Sequence, residues 1–447
     1  MKLLGIVLVL GTVGAASAAA GKHDQSPFVV PPNGKPEQLV GGIDYTPPTA
    51  LAFDTRNRPY LFNADRPQHF GALWTLRNGR WVERSYLPAL KALHPDLLPP
   101  PTRWPHALGA LAIDDADRLF AVLYISRKSV KGRRPILLFS ADLGETFQAR
   151  DLPGNPGRAF LEVDTGNTDT TGPPAIGLLT FRKPYPTNWT SYYDLHLLVP
   201  EIEDGRLRLP KPVLITRDCF GVANHSGGYS FAVTVAGRTH VTYAEIPKKK
   251  TGGNPTFVAT YDRKTRKVTA RQFLCTALPG TPDVHSTPVI AADAARRLHV
   301  VAGAHNNPFR YTRSLEPNTI EKGWTKPVNV GAHQTYATLV CDTSDVLHTV
   351  YRIHGGLYHQ RKKADDAGWS KRTTVVKAPA GHRGYTIFYH RLFVDRTGAL
   401  YLSFTFWETR TQAKGRYPRA LVVSADGGRS WQRATTESLN KNITGKE

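Results

Sequence analysis

His285 and His305 stand twenty residues apart in "DVHSTPVIAADAARRLHVVAGAHNNPFRYTRS", 283–314, at the two ends of a segment that reads as a β-hairpin. Imidazoles accept and donate protons near neutral pH, so two of them brought to one place would suit acid–base chemistry. Whether they meet is a question for the surrounding elements. In an antiparallel pair, the start of the first strand lies beside the end of the second, away from the connecting turn.

The same hairpin recurs along the chain as an apolar strand, a turn containing Asp and a second apolar strand. It reads "ALAFDTRNRPYLF" from Ala50, "ALAIDDADRLFAVLY" from Ala110, "PVIAADAARRLHVVAG" from Pro288, "ATLVCDTSDVLHTVY" from Ala337 and "RLFVDRTGALYLSF" from Arg391. The turn aspartates are Asp54, Asp114, Asp293, Asp342 and Asp395, with intervals of 60, 49 and 53 where units adjoin. "SFAVTVAGRTHVTYAEI" from Ser230 has Ala-Gly-Arg in the turn, and a degenerate unit is expected between Phe160 and Val199. About seven units of roughly 50 residues, alternating with period two, predict an all-β, seven-bladed β-propeller. It would occupy 21–447 as a single domain, its last blade ending near 431. "SADLGETF" and "SADGGRSW" match Ser-x-Asp-x-Gly-x-x-aromatic, the structural Asp-box turn of bacterial neuraminidase repeats.

In a propeller the first strand of each blade lines the central channel and the turn to the second sits on one face of the disc. Residues at the other ends of those strands gather at the opposite face, the mouth. Blade by blade this places His225 and Glu245 there, with Lys248, Lys249 and Lys250 just beyond, then His285 and His305. Gln334 or Tyr336 follows, with Tyr351 and Arg352, and then Tyr389, His390 and Trp407. Arg310, on the strand after His305, joins His225, Glu245, Lys249, His390 and Trp407 as a substrate-binding candidate.

Composition narrows the partners. The chain of 447 residues is 40% hydrophobic and 10% aromatic, with 34 Pro, 38 Gly and one Met, which excludes long helices and bulk disorder. "MKLLGIVLVLGTVGAASAAA", residues 1–20, has the basic start, apolar run and small-residue cleavage pattern of a secretory signal, too short for a membrane anchor. A secreted or periplasmic monomer with no membrane span is expected. Cys219, Cys275 and Cys341 are too few and too far apart for a disulfide framework. Lys and Arg number 58 against 36 Asp and Glu, a formal charge of +22, which concentrates polyanions around the protein. For an exported protein an acidic polysaccharide is the natural polyanion, rather than nucleic acid.

Glu245 is the main carboxylate at the predicted mouth, whereas ordinary glycoside hydrolysis needs two flanking the scissile bond. Sialidases use a tyrosine nucleophile with an arginine triad and an Arg-Ile-Pro segment, and this chain has no Arg-Ile-Pro. His, Tyr and Arg together suit β-elimination of a uronate polysaccharide. An Arg pairs with the C6 carboxylate, one Tyr or His removes the C5 proton and another protonates the leaving O4. Two other readings stand beside it: a non-catalytic glycan-binding propeller, and an exo-glycosidase or sialidase-like hydrolase with carboxylates hidden in the N-terminal blades.

The runs "PTFVATYDRKTRKV", "DVHSTPVIAADAARRLHVVAGAHNNPFRYTRS", "VLHTVYRIHGGLYHQRKK" and "FYHRLFVDRTGALYLSF" resemble the bacterial neuraminidase-repeat propellers of the group containing ulvan lyases. The likeness covers about 224–431. It implies a site of two histidines from one blade with a tyrosine and an arginine from the next, carried over to His285, His305 and Tyr351. Arg361 in "LYHQRKK" is the first choice for neutralising the carboxylate and Arg352 the second. Tyr351 is assigned as base and His285 as acid, roles that can be exchanged. The resemblance also implies a structural zinc, whose ligands no motif here places, and no cofactor for catalysis.

Overall fold

Each Asp-containing turn closes in the same way. The carboxylate accepts the backbone N–H four residues on, and in every turn but that of Asp293 also the one two residues on, as at Asp342 from Ser344 (2.9 Å) and Val346 (2.9 Å), and at Asp395 from Thr397 (2.9 Å) and Ala399 (2.9 Å). The residue at the third position donates its N–H to the Asp carbonyl in all five turns and takes a positive φ: Asn57, Asp117, Arg296, Asp345 and Gly398. Asn, Asp and Gly tolerate that conformation best, which is why they dominate the position. Burial alone would raise the Asp293 and Asp342 carboxyls, but hydrogen bonds from His299 and His348 help hold both below the usual carboxylate range.

The computed structural model describes residues 28–29, 50–63, 71–98, 110–185, 191–220, 230–247, 252–278, 284–353, 356–377, 387–406 and 419–444. The leader expected at 1–20 lies outside them. The turns link seven antiparallel sheets of consecutive strands: blade 1 at 50–85, blade 2 at 110–151, blade 3 at 158–219, blade 4 at 232–277, blade 5 at 289–334, blade 6 at 340–377 and blade 7 at 387–433. The unit with the Ala-Gly-Arg turn is blade 4 and the degenerate one is blade 3. Phe28–Val29 joins the outer edge of blade 6 in parallel, opposite Val376 and Lys377. Cys219, Cys275 and Cys341 are buried thiols outside any disulfide. No helix among the described residues is long and apolar enough to cross a membrane.

Neighbouring blades pack face to face through apolar side chains; one cluster carries Leu51 and Leu61 of blade 1 with Leu400 and Leu402 of blade 7 and Val350 of blade 6. The ring thus closes by the same packing that holds every other pair. At that seam the helix Thr436–Lys441, capped by Thr435, buries Leu439, and Trp81 of blade 1 donates to Thr436 Oγ1 (3.1 Å).

A loop from blade 3, 162–175, crosses the axis on the turn face. Thr165 O accepts from Cys341 N of blade 6 (2.7 Å), Asn167 donates to Ala292 O of blade 5 (3.3 Å), and Asp115 N of blade 2 donates to Thr170 O (2.9 Å). Beside it lie two voids of about 20 Å³ each, room for a water molecule, one between Ala110, Thr165 and Arg391 and one bordered by Asp164 and Arg396. The loop therefore stops the channel at the turn face, and a ligand approaching the axis has the mouth.

Gly166 in that loop has φ +107°, and a Cβ there would lie 1.6 Å from Cys341 O. Gly166→Ala should lower stability by about 2 kcal/mol or more, read as a drop in thermal midpoint. Gly368→Ala, where a Cβ meets nothing within 4 Å, should leave the midpoint in place. Equal midpoints for the two variants would mean that the loop does not bear on the axis.

Candidate active site

The site is assembled from the mouth ends of blades 5, 6 and 7. His285 precedes the innermost strand of blade 5, Val289–Ala292, and His305 follows its second strand, Leu298–Ala302. They meet: His305 Nε2 lies 2.9 Å from His285 Nδ1, with ring centroids 4.5 Å apart and nearly edge to face. One nitrogen must donate and the other accept, so the pair shares one proton across that contact. His285 is buried, while His305 is partly exposed.

Tyr336, in the connection from blade 5 to blade 6, lies against both rings at 5.4 Å from His285 and 5.8 Å from His305. Arg352, near the end of the second strand of blade 6, sets its guanidinium 4.7 Å above the Tyr336 ring. Thr335 and Arg352 exchange backbone hydrogen bonds of 2.8 and 2.9 Å, which fixes that neighbourhood. Tyr336 itself has φ +64°, a conformation that an aromatic residue rarely adopts. His390 of blade 7 holds it there, donating from Nε2 to Tyr336 O (2.8 Å) and to Val350 O (3.3 Å). His305 and Tyr389 also have positive φ, at 34° and 57°. Positive φ on non-glycine residues thus recurs at this mouth, on Asn306 (56°) as well.

Not all candidates come together. Tyr351 lies in the apolar core between blades 5 and 6, edge to face with Phe309, and its hydroxyl donates to Gln360 Oε1 (2.6 Å). Burial pushes its phenol well above the usual range. Arg352, the next residue on the strand, points the other way and joins the cluster; the tyrosine at the histidine pair is Tyr336. Arg361 sits toward the turn face, bonded to Gly427 O of blade 7 (3.2 Å). Both corrections follow from strand parity and direction, which sequence distance from His305 does not carry.

Glu245 is buried at the seam of blades 3 and 4, where it accepts from Thr216 Oγ1 (2.5 Å) and Arg271 (2.7 Å). Arg310 donates to Asn329 Oδ1 (2.6 Å), on the outer strands of blade 5. His390 is fully buried, so it supports the site from behind instead of meeting substrate. His225, Lys249 and Trp407 lie outside the described residues. Among the described residues no three or more His, Cys, Asp or Glu side chains cluster as a metal-binding set, and no step is routed through a metal.

Fold and mouth together define a seven-bladed propeller with a His–His–Tyr–Arg cluster at its open face. Residues 231–447 match the model of the BNR repeat-containing family, whose span includes every member of that cluster. No curated protein matches the chain by sequence. Solved structures with a similar arrangement include an ulvan lyase bound to a glycan of glucuronate and sulfated rhamnose (14% identity, TM-score 0.39), of which the match covers 60%, against 50% of this chain. A protein of unknown function from Dyadobacter fermentans matches at 10% identity and TM-score 0.44, over 71% of this chain and 93% of that one. An α-L-arabinanase from Penicillium chrysogenum complexed with arabinobiose matches at 13% identity and TM-score 0.45, over 74% and 94%.

Burial pushes the His390 imidazole down to about 4, the Arg352 charge adding to the shift while hydrogen bonds to the Tyr336 and Val350 carbonyls oppose it. Burial does the same to His240, also to about 4. Both are neutral in the folded protein at neutral pH and take up a proton near pH 6.5 once unfolded. Their contribution to stability is therefore complete above about pH 6.5 and is lost as pH falls toward 4, by about 3 kcal/mol each at most. The thermal midpoint should hold between pH 8 and about 7 and fall below about 6.5. His390→Gln should shallow the fall; an unchanged slope in that variant would remove His390 from the account.

Proposed function

We propose that this propeller is an exported polysaccharide lyase that cleaves a uronate-containing acidic, ulvan-like polysaccharide by β-elimination at the mouth of blades 5 to 7. The observation that carries the reading is the hydrogen-bonded His285–His305 pair packed on Tyr336 beneath Arg352, a set of proton carriers with one fixed cation. Among the described residues of this mouth no pair of carboxylates stands ready for hydrolysis, and Glu245 is already engaged by Thr216 and Arg271.

In the proposed reaction Arg352 pairs with the C6 carboxylate and draws charge from C5, making its proton more acidic. His305, the partly exposed member of the pair, takes that proton; His285 behind it holds the tautomer and receives part of the positive charge. The C5–H electron pair becomes the second bond of C4=C5, the C4–O4 bond breaks, and the Tyr336 hydroxyl, buried in the free protein and uncovered as the sugar seats, supplies the proton that O4 requires. His390 acts at one remove, by keeping the Tyr336 backbone in its strained form. No water enters the reaction and no covalent intermediate forms. Export rests on the signal-like residues 1–20.

The test is to incubate the protein with ulvan and other uronate polysaccharides and follow the ultraviolet absorbance of the unsaturated uronate, which elimination creates and hydrolysis does not. His305→Ala and Tyr336→Phe should each reduce turnover by roughly 10²–10⁴, as expected for loss of an acid–base group. Arg352→Ala should raise KM as well as lower the rate. Tyr351→Phe, in the core, and Arg361→Ala, at the other face, should stay within a few-fold of the native protein. A flat trace over the whole panel, with tight binding to one member, would replace the lyase by a non-catalytic glycan-binding propeller.

A further inference from the structure

The large apolar side chains most exposed among the described residues are few, and Phe273 (49%) and Leu214 (38%) lie on the facing outer strands of blades 4 and 3. A bridge between Cys219 and Glu245 and the hydrogen bond from Ile246 N to Asp218 O (3.0 Å) draw these blades together near the mouth. Along the seam lie rings and cations with a few acids between them; Arg182, 5.5 Å above the Tyr192 ring, is paired with Asp194 (3.6 Å) and Asp218 (2.9 Å). On blade 4, Phe257 stacks on Tyr243 at 5.8 Å and meets Phe273 edge-on at 5.6 Å, while the Arg271 guanidinium lies 4.4 Å above Phe257 and is pinned by Glu245. On blade 3, Lys183 Nζ lies 4.7 Å above the Tyr192 ring, with no ion pair to an acid among the described residues.

We infer that this seam is a second carbohydrate-binding surface, which holds a stretch of the same acidic polysaccharide outside the catalytic mouth. Sugar rings present C–H faces that stack on exposed aromatic rings, and carboxylate or sulfate groups beside them pair with cations that already rest on ring faces. An apolar protein partner would desolvate Lys183, which has no ion pair among the described residues, whereas a polyanionic glycan stacks on the rings and pairs with that cation. The chain's charge of +22 favours the same ligand. The position is also right for a polymer. The strand Asn254–Asp262 that carries Phe257 begins with Asn254, whose amide donates to Ser286 Oγ (3.2 Å), next to His285. Phe257 lies three residues, about 10 Å, further along. A chain leaving the histidine pair over the mouth edge of blade 4 therefore arrives at the seam.

This inference rests on the proposed acidic-polysaccharide reading, and the experiment separates the two. Binding of ulvan, of a short ulvan oligosaccharide and of neutral arabinan is measured by calorimetry for the native protein, for His305→Ala and for the double variant Phe273→Ala with Lys183→Ala. The native protein should bind the polymer at least tenfold more tightly than the oligosaccharide, the double variant should lose that difference at an unchanged thermal midpoint, and arabinan should not bind. If the native protein binds ulvan and the double variant keeps the full polymer advantage, the seam is not a binding surface while the function stands. Arabinan binding as tightly as ulvan would overturn the acidic ligand at the seam. If no acidic polysaccharide binds the native protein, both readings fall. Should the double variant unfold, Phe273→Ser alone carries the same comparison.

Discussion

A carboxylate buried in a turn has to find its donors within reach, and this chain meets that requirement five times in equivalent places. Asp54, Asp114, Asp293, Asp342 and Asp395 are each nearly inaccessible to solvent, and each is satisfied by the backbone N–H groups of its own turn. Buried polar groups left without donors are costly, so the carboxylate dictates the turn and the turn aims the next strand. Turns then grip their neighbours: Thr55 N donates to Asp117 (2.9 Å), Ala294 N to Asp345 (2.8 Å), and Asn57 both donates to Asp395 (3.0 Å) and accepts from Arg396 N (2.9 Å). The last of these spans the junction between blade 7 and blade 1, so the same chemistry that shapes a turn also shuts the ring.

Locking one face has a consequence for the other. With the turn face tied and crossed by the loop 162–175, polar side chains that the turns do not engage gather at the mouth. The backbone shows the contrast. At the turn face positive φ falls at the third turn position on Asn57, Asp117, Asp345 and Gly398, types that accept it readily, with Arg296 the exception. At the mouth it falls on Asn306 but also on His305, Tyr336 and Tyr389, where it costs of order 1 kcal/mol or more and has to be imposed by surroundings. For Tyr336 the imposing contact is the His390 N–H at its carbonyl. Stability invested at one face thus supports strain at the other.

Seven units and their face were legible because the Asp turn has a fixed chemistry and the hairpin has a fixed direction. His285 and His305 follow from that geometry alone, as does the choice of Gln334 or Tyr336 for the mouth. The tyrosine chosen by likeness was Tyr351, and the reason it lies elsewhere is parity: consecutive strand residues face opposite ways, so Tyr351 and Arg352 cannot both reach the mouth. Six of the eight residues in Val346–Ile353 are buried on both sides of the sheet, so no polar alternation announces which side is which. Arg361 fails for direction, since the third strand of blade 6 runs back toward the turns. The loop from blade 3 was illegible for a different reason. Its hydrogen bonds go to Cys341 and Ala292, more than a hundred residues away, and nothing local in its sequence records them.

The electrostatics of the mouth depend on which groups stay neutral. His390 lies so deep that its imidazole carries no charge at neutral pH, and a proton there would set a second cation beside Arg352. Across the His285–His305 contact one nitrogen must be a lone pair, which limits how much charge the pair holds. The fixed positive charge among these residues therefore resides on Arg352, held over a ring face. A neutral sugar seated there would further desolvate that guanidinium and return no ion pair, whereas a uronate would return one. On the proposed reading, discrimination between acidic and neutral glycans arises from that asymmetry, and it survives only while His390 remains buried and uncharged behind Tyr336.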